Sequence, residues 1–225
     1  MIRNIIFDYG GVIIDIDYNK PKEEFEKIGV RNFDAHFNQL NQTSLFSDFE
    51  KGLVTEQEFR SKLNQQLGMQ LTDEQIDHCW NSMVLGIREE KIKLLSELYA
   101  NNYKTFLLSN TNYIHLRFIT KLLLRTHGRF NIDQFFNKVY YSCSTGMRKP
   151  EKEIFQKVLY ENDLKPAETI YIDDSPQHKE AAEMLGLKSV LYDPHTDLRE
   201  VLHQHLNAGN VAPAEPTVRS EQLTG

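Results

Sequence analysis

The sequence predicts an α/β protein in which a parallel sheet carries an inserted, all-helical domain. Two observations support this fold class. Over residues 92–206, short apolar runs alternate with segments of helical periodicity, which is typical of right-handed crossovers in a parallel sheet. Over residues 18–91, the spacing is helical and no convincing strand is found. We therefore expect a core at 1–17 and 92–206 and a helical insert at 18–91.

The first element is a short buried strand, Ile5-Ile6-Phe7, which ends at Asp8. Two glycines follow after one residue, and a glycine pair indicates a sharp turn in which backbone can approach a ligand. An aspartate in this place is either a solvated turn residue or a nucleophile or metal ligand. Residues 12–17 then indicate an extended loop or a small hairpin that leaves the sheet.

Helix signals dominate the insert. Pro21 fits the first turn of a helix. Thr55 and Thr72 each begin a capping-box pattern that precedes apolar residues at helical spacing, and Gly68 ends the helix between them.

The second half of the chain alternates between the two kinds of element. We predict a helix from Arg88, strands at 104–108, near 139–141, at 169–172 and at 189–192, and helices at 112–126, 150–162 and 176–185. The segment 207–225 is rich in Ala, Pro, Gly and polar residues without an apolar period, so we expect it to be disordered.

Polar residues stand where these predicted strands end. Ser109 follows one strand, Asp173 and Asp174 follow another, and Lys149 precedes a predicted helix. Ligands of open α/β sheets bind outside the carboxyl ends of the strands. With Asp8, these residues therefore indicate a single site.

In this order and spacing, the motifs resemble those of the haloacid dehalogenase superfamily phosphohydrolases, up to about residue 205. The nucleophilic Asp of that family matches Asp8, its Ser or Thr matches Ser109, its Lys matches Lys149, and its acidic pair matches Asp173 and Asp174. The resemblance implies a Rossmann-like core with a helical cap between the first and second motifs. It also implies that the cap selects the substrate and covers the site.

The expected activity is Mg²⁺-dependent hydrolysis of a small phosphorylated metabolite. Asp8 would attack phosphorus and form an aspartyl-phosphate, which splits a difficult hydrolysis into two easier steps. Lys149 would pair with Asp8 and with the phosphate. Ser109 and the Asn110 amide would bind phosphate oxygens, although an N-cap role for this segment stays open. For Arg148 the sequence allows either a role in the site or a position facing solvent. His115 is expected to be structural.

The adjacent carboxylates of Asp173 and Asp174 repel each other unless a cation relieves them. Mg²⁺ uses few protein carboxylates and keeps several waters. The expected ligands are Asp8, the backbone carbonyl of Gly10 and Asp174, with Asp173 behind them or acting through water. The alternative is that one aspartate caps the next helix, but Ser175 is placed to do this instead.

Gly10 departs from the pattern of the family, in which a second Asp two residues after the nucleophile transfers protons. The alternative function is therefore a non-catalytic or very slow phospholigand-binding protein, unless another group such as Asp15 or His115 transfers the proton. A 2-haloacid dehalogenase is less favoured, because those enzymes attack carbon without Mg²⁺ and have little use for the acidic pair. The stretch from Asp8 to Tyr18 is similar to bacterial members that act on α-glucose 1-phosphate, which favours a sugar phosphate.

Composition excludes several other classes. The net charge is −6 and no basic block offsets it, which argues against a nucleic-acid partner. Cys79 and Cys143 are far apart, which fits free thiols in a reducing compartment. No signal segment and no membrane-length apolar run is found, so we expect a cytoplasmic protein without a membrane partner. No pattern indicates the oligomeric state.

Overall fold

The computed structural model describes residues 2–37 and 43–206. Its strands are β1 (Asn4–Phe7), β2 (Asp15–Ile16), β3 (Val84–Gly86), β4 (Lys104–Ser109), β5 (Lys138–Tyr141), β6 (Thr169–Asp173) and β7 (Lys188–Leu191). Five of them form a sheet in the order β5-β4-β1-β6-β7, in which every neighbouring pair is parallel. The predicted fold class is confirmed.

Strand β1 occupies the centre of this sheet. Asn4 is in register with Lys104 of β4 on one side and with Thr169 of β6 on the other. Successive side chains point to opposite faces, so Ile5 and Phe7 pack into the larger apolar cluster and Ile6 into the smaller one. Both faces are covered, which explains why this strand is a continuous apolar run.

The helices surround this sheet and fill the insert. They are α1 (Lys20–Lys27), α2 (Ser44–Glu50), α3 (Glu56–Leu67), α4 (Asp73–Asn81), α5 (Glu89–Ala100), α6 (Tyr113–His127), α7 (Ser142–Thr145), α8 (Lys152–Glu161), α9 (Pro176–Glu183) and α10 (Leu198–His205). The sequence did not predict α2, α7 or α10, which are short and lack a capping box.

Both predicted capping boxes are present. The Glu58 backbone N–H donates to the Thr55 hydroxyl at 3.2 Å, and the Thr55 backbone N–H donates to the Glu58 carboxylate at 2.8 Å. Thr72 begins α4 in the same way. Gly68 ends α3 with a φ of 62°, a left-handed conformation that favours glycine.

Strand β3 corrects the prediction that residues 18–91 contain no strand. It pairs antiparallel with β2, with Asp15 opposite Gly86 and Ile16 opposite Val84. These two strands are too short to show an alternation of apolar and polar residues in the sequence. Their pairing also joins distant parts of the chain, so no local signal predicts it. Of the extended loop or small hairpin predicted for residues 12–17, the hairpin is not formed within the segment: Asp15 and Ile16 pair instead with β3, where the chain leaves and re-enters the core. The domain boundaries themselves stay a prediction.

The insert and the sheet share one apolar cluster. Phe25, Phe46 and Trp80 of the insert belong to the same buried group as Ile5 and Leu95. Within the part of the chain described here, no helix has the length and apolarity needed to cross a bilayer. The predicted disordered tail at 207–225 lies outside the described residues.

Candidate active site

Three central strands of the sheet bring their polar ends to one edge. Asp8 directly follows β1, Ser109 ends β4 and Asp173 ends β6. These strands are adjacent and parallel, so the three side chains meet, as the sequence predicts. All three residues are buried.

Lys149 joins these strand ends from the loop between α7 and α8. Its ammonium is fully buried and lies 2.7 Å from a carboxylate oxygen of Asp8 and 2.7 Å from one of Asp173. Burial alone would lower the pKa of Lys149, but the charges of Asp173 and Asp8 outweigh burial and raise it above its usual value. Lys149 is therefore a fixed positive charge beside the predicted nucleophile.

A set of protein donors holds the Asp173 carboxylate. The Ser175 backbone N–H donates to one oxygen at 2.7 Å, and the hydroxyl of Tyr171 donates to the other. His178 Nδ1 lies 3.1 Å from each oxygen. Burial raises the pKa of Asp173, but Lys149 and His178 lower it further, so the net direction is well below the usual range. Both oxygens are thus used by the protein, which fits a supporting position rather than direct contact with a metal.

Asn110 fixes the backbone of Lys149. Its amide donates to the Lys149 carbonyl at 2.9 Å, and its carbonyl oxygen accepts the Lys149 N–H at 2.8 Å. The predicted role of the Asn110 amide in phosphate binding therefore has a competing structural use. The Ser109 hydroxyl has only a long contact, 3.4 Å, to the Asn110 carbonyl, and so stays the better candidate for a phosphate oxygen.

The donor chemistry at this edge fits a hard divalent cation. Among the described residues at this edge, Asp8, Asp173 and Asp174 share one buried ammonium, that of Lys149, so negative charge is in excess. Burial and then the charge of Asp173 raise the pKa of Asp174 to about 6, and the same two causes raise that of Asp8. A cation bound to Asp8 and Asp174 would relieve this repulsion.

The glycine turn allows Asp174 to approach. A Cβ at Gly11 would lie 2.3 Å from Asp174 Oδ2, and Gly11 has a φ of +75°. Gly10 precedes Gly11 in the turn after Asp8, and its carbonyl stays the predicted backbone ligand.

A second arrangement of ligand atoms is less suitable for a metal. Asp8, Asp173 and His178 bring one atom each within 4.8 Å of one another. The Lys149 ammonium already contacts both of these carboxylates at 2.7 Å. A cation shared by these groups would have to displace the ammonium, so we favour the set of Asp8, Gly10 and Asp174.

A cavity of about 80 Å³ lies between the strand ends and the insert. Asp8 and Ser109 line it from the sheet side, and Phe37 and Trp80 line it from the insert. A larger cleft of about 580 Å³ shares Phe37 with this cavity and reaches Asp174. The cavity has room for a phosphate-sized group, and a larger substrate would extend into the cleft.

Three residues that line the cavity were missed or left open by the sequence. Arg148 lines the cavity, is only 17% exposed, and forms an ion pair at 2.8 Å with Glu50 of α2. The solvated position that the sequence left open for Arg148 is therefore wrong. Glu50 was not singled out, because a lone glutamate at a helix end carries no motif. His178 was missed as well, although it follows the acidic pair closely.

His115 is structural, as expected. Its ring stacks on Trp80 with centroids 4.8 Å apart, and Nε2 lies 3.1 Å from the Trp80 carbonyl. The Asn112 amide lies 3.2 Å from Nδ1. Burial lowers the pKa of His115 to about 4, so the ring is neutral near pH 7 and holds α4 against α6.

A buried aspartate, lysine and acidic pair at the carboxyl edge of a parallel sheet, below a helical insert, define a haloacid dehalogenase-like hydrolase. The chain belongs to this family, which its residues 2–186 match.

Relatives extend the similarity over most of the chain. The chain is 30% identical over 208 residues to the D-ribitol-5-phosphate phosphatase of Bacteroides thetaiotaomicron, which covers 92% of this chain and 100% of that protein. A haloacid dehalogenase family enzyme of the same organism, solved with magnesium and inorganic phosphate, is 35% identical with a TM-score of 0.83, over 90% of this chain and 99% of that one. A predicted family hydrolase from Porphyromonas gingivalis is 35% identical with a TM-score of 0.80, over 92% and 98% of the two chains.

Proposed function

We propose that the protein is a Mg²⁺-dependent phosphatase that hydrolyses a small phosphorylated metabolite through an aspartyl-phosphate on Asp8. The observation that carries this proposal is the Lys149 ammonium, held 2.7 Å from both Asp8 and Asp173 at the strand ends. The relative that acts on D-ribitol 5-phosphate and the structure containing magnesium and phosphate support it.

Each residue has a defined task in this reaction. A carboxylate oxygen of Asp8 attacks phosphorus, the bond from phosphorus to the leaving oxygen breaks, and water later cleaves the aspartyl-phosphate to release phosphate. Lys149 stabilises the negative charge of the transferring group, and Ser109 donates a hydrogen bond to one of its oxygens. Asp173 keeps Lys149 in place.

We assign the metal to Asp8, the Gly10 carbonyl and Asp174, with Asp173 as their support. When bound there, Mg²⁺ supplies counter-charge for the carboxylates and the phosphate. The excess of carboxylate over ammonium in the described site supports this assignment.

We infer that the substrate is a sugar phosphate or polyol phosphate. The D-ribitol-5-phosphate phosphatase, 30% identical to this chain, supports this class, and the apolar and aromatic wall of the insert suits a small organic leaving group. A small molecule rather than a nucleic acid fits the net charge of −6. The two cysteines are unpaired and buried, which supports a reducing compartment such as the cytoplasm.

A non-catalytic phospholigand-binding protein is the second candidate, because Gly10 offers no carboxylate for proton transfer. A binding protein would retain phosphate affinity and Mg²⁺ dependence of binding, but would release no phosphate from any ester.

The test is hydrolysis of p-nitrophenyl phosphate with Mg²⁺ and with EDTA. We expect Asp8→Asn to lower kcat by at least about a thousandfold, as loss of a covalent nucleophile does, and Asp174→Asn to weaken the apparent affinity for Mg²⁺. Asp163→Asn, at an exposed aspartate outside the predicted ligand set and outside the cavity and the cleft, is the control and should behave like the wild type. Full activity in EDTA or in Asp8→Asn would contradict the mechanism.

A further inference from the structure

The end of α2 meets the core through two neighbouring ion pairs. Glu50 pairs with Arg148 at 2.8 Å, and Lys51 pairs with Glu151. Glu50 and Arg148 line the cavity, whereas Lys51 and Glu151 are not among its lining residues. The chain thus offers two contacts of the same kind, of which only one faces the substrate.

Few charged side chains line the cavity. Among the described lining residues these are Asp8, Glu50 and Arg148. The cavity also has two histidines: His115, which is neutral near pH 7, and His178, whose pKa is lowered by burial. Asp8 is committed to phosphorus in the proposed reaction. The remaining cation, Arg148, is matched by Glu50, whose side chain is only 10% exposed. The part of the cavity that would receive the leaving group therefore offers a neutral ion pair and no spare positive charge.

Two polar atoms of the cavity-lining residues indicate what kind of neutral group fits. Within the described part of the chain, Trp80 Nε1 and Arg148 Nε are buried without a hydrogen-bond partner. Both are donors only, and a buried donor without an acceptor is costly. Both atoms are buried, so an uncharged oxygen acceptor, such as a substrate hydroxyl, would satisfy them once the two side chains turn toward the cavity.

We propose that Glu50 makes this site selective for phosphate esters whose leaving group is uncharged and bears hydroxyls, and selective against substrates with a second anionic group. This inference rests on the proposed phosphatase function. A second carboxylate or phosphate would compete with Glu50 for Arg148 and would lie near a buried carboxylate, and such a like-charge contact is strongly unfavourable. Glu50 thus repels substrates that carry a second anionic group, and Arg148 supplies the counter-charge of Glu50.

Matched substrates and matched variants test this assignment. Glycerol 3-phosphate and 3-phosphoglycerate differ by one hydroxymethyl group replaced by a carboxylate, and phenyl phosphate measures hydrolysis without either group. We would measure kcat/KM of the wild type, Glu50→Gln, Arg148→Gln and the control Lys51→Gln, in each case with Mg²⁺. The glutamine substitutions keep the size and remove the charge.

The expected changes have opposite signs. The wild type prefers the alcohol over the acid; Glu50→Gln reduces this preference by about tenfold or more, because Arg148 becomes available to the carboxylate and the like charge is gone. Arg148→Gln increases the preference, because the positive charge that Arg148 places beside Glu50 is removed. Lys51→Gln leaves the ratio of the two kcat/KM values at the wild-type level.

The selectivity role would be overturned if the ratio of the two kcat/KM values shifted in the same direction in both cavity variants. It would also be overturned if this ratio shifted no more in Glu50→Gln than in Lys51→Gln. The ion pair would then be only a contact between insert and core. A wild type that prefers the acid would overturn it too. If the wild type releases no phosphate even from phenyl phosphate, the proposed function itself fails, so the two failures are distinct.

Discussion

At the scale of single residues, the open point is proton transfer at Gly10. The structure removes both substitutes that the sequence left open. Asp15 is held by Lys91 at 2.7 Å and by Arg88 at 3.0 Å, and His115 is bonded through both ring nitrogens. Asp174 and Glu50 lie nearby, but we assign them to the metal and to the ion pair with Arg148. We therefore expect the leaving group to depart with little protonation.

Gly10→Asp should therefore accelerate hydrolysis of esters with poor leaving groups. A positioned general acid contributes about 10²–10⁴-fold, and alkyl phosphates should gain most of it. The backbone permits the change, because the left-handed conformation in this turn belongs to Gly11, not Gly10. The new Cβ would lie 3.0 Å from Ile16 Cδ1, the movable end of a side chain. Single-turnover rates against leaving-group pKa, for the wild type and this variant, are the measurement.

Gly11→Ala is the matched control in the same turn. Its Cβ would lie 2.3 Å from Asp174 Oδ2 at a φ of +75°, so activity and Mg²⁺ affinity should fall for every substrate. A flat wild-type plot for the phosphorylation step, with fast alkyl phosphates, would refute the idea that an acid is missing.

At the scale of elements, strands and capped helices could be predicted because their signals are local. The strand β1 is a continuous apolar run, and the helices α3 and α4 begin with capping boxes. The pair of β2 and β3 could not be predicted, because its stability comes from a partner far along the chain. The packing of α2 against the core could not be predicted from the sequence either, although this packing positions Glu50.

Gly52, directly after α2, tests how closely the insert must dock. A Cβ there would lie 2.3 Å from the Cys143 carbonyl oxygen, whereas at Gly68 nothing lies within 4 Å. Both glycines have positive φ, so alanine costs each about 1–2 kcal/mol of backbone strain. Only Gly52→Ala should also lower kcat/KM, by at least about tenfold, because it displaces the cavity wall. Urea unfolding and kinetics of both variants check this; equal kinetics in the two would contradict tight docking.

At the scale of the whole molecule, the sequence could predict the residues at strand ends because a parallel sheet brings such ends together. Asp8, Ser109 and Asp173 meet for this reason. Arg148 and Glu50 could not be paired from the sequence, since one lies in the core and the other in the insert, and no local pattern joins them. The contact proposed to determine selectivity thus depends on tertiary packing, whereas the grouping of the proposed reactive residues follows from the sheet topology.

The contact between His115 and Trp80 should make the junction of insert and core sensitive to acid. The folded pKa of His115, about 4, lies below its ordinary value of 6.5, so between these values the unfolded chain binds a proton that the folded one does not. The stabilising contribution is present above about pH 6.5 and is lost as the pH falls toward 4, by at most about 1.4 kcal/mol per pH unit.

Urea unfolding at pH 7.5 and pH 5 measures this effect. His115→Gln should have a smaller difference in unfolding free energy between the two pH values than the wild type. His195→Gln, at an exposed histidine, should retain the wild-type difference. An unchanged difference in His115→Gln would show that other groups cause the acid sensitivity.

The central position of β1 also governs when the protein becomes active during synthesis. The strand β1, which leads to Asp8, is synthesised before its neighbours β4 and β6, which begin only at Lys104 and Thr169. Pairing over such separations is slow, because a long loop must close before any contact forms. In a ribosome-bound chain from which β6 has not yet emerged, Asp173 is absent and β1 lacks one of its two neighbouring strands. Asp8, the proposed nucleophile, is therefore synthesised well before the strands that complete its site, and we expect phosphate release to report chains in which those strands have folded.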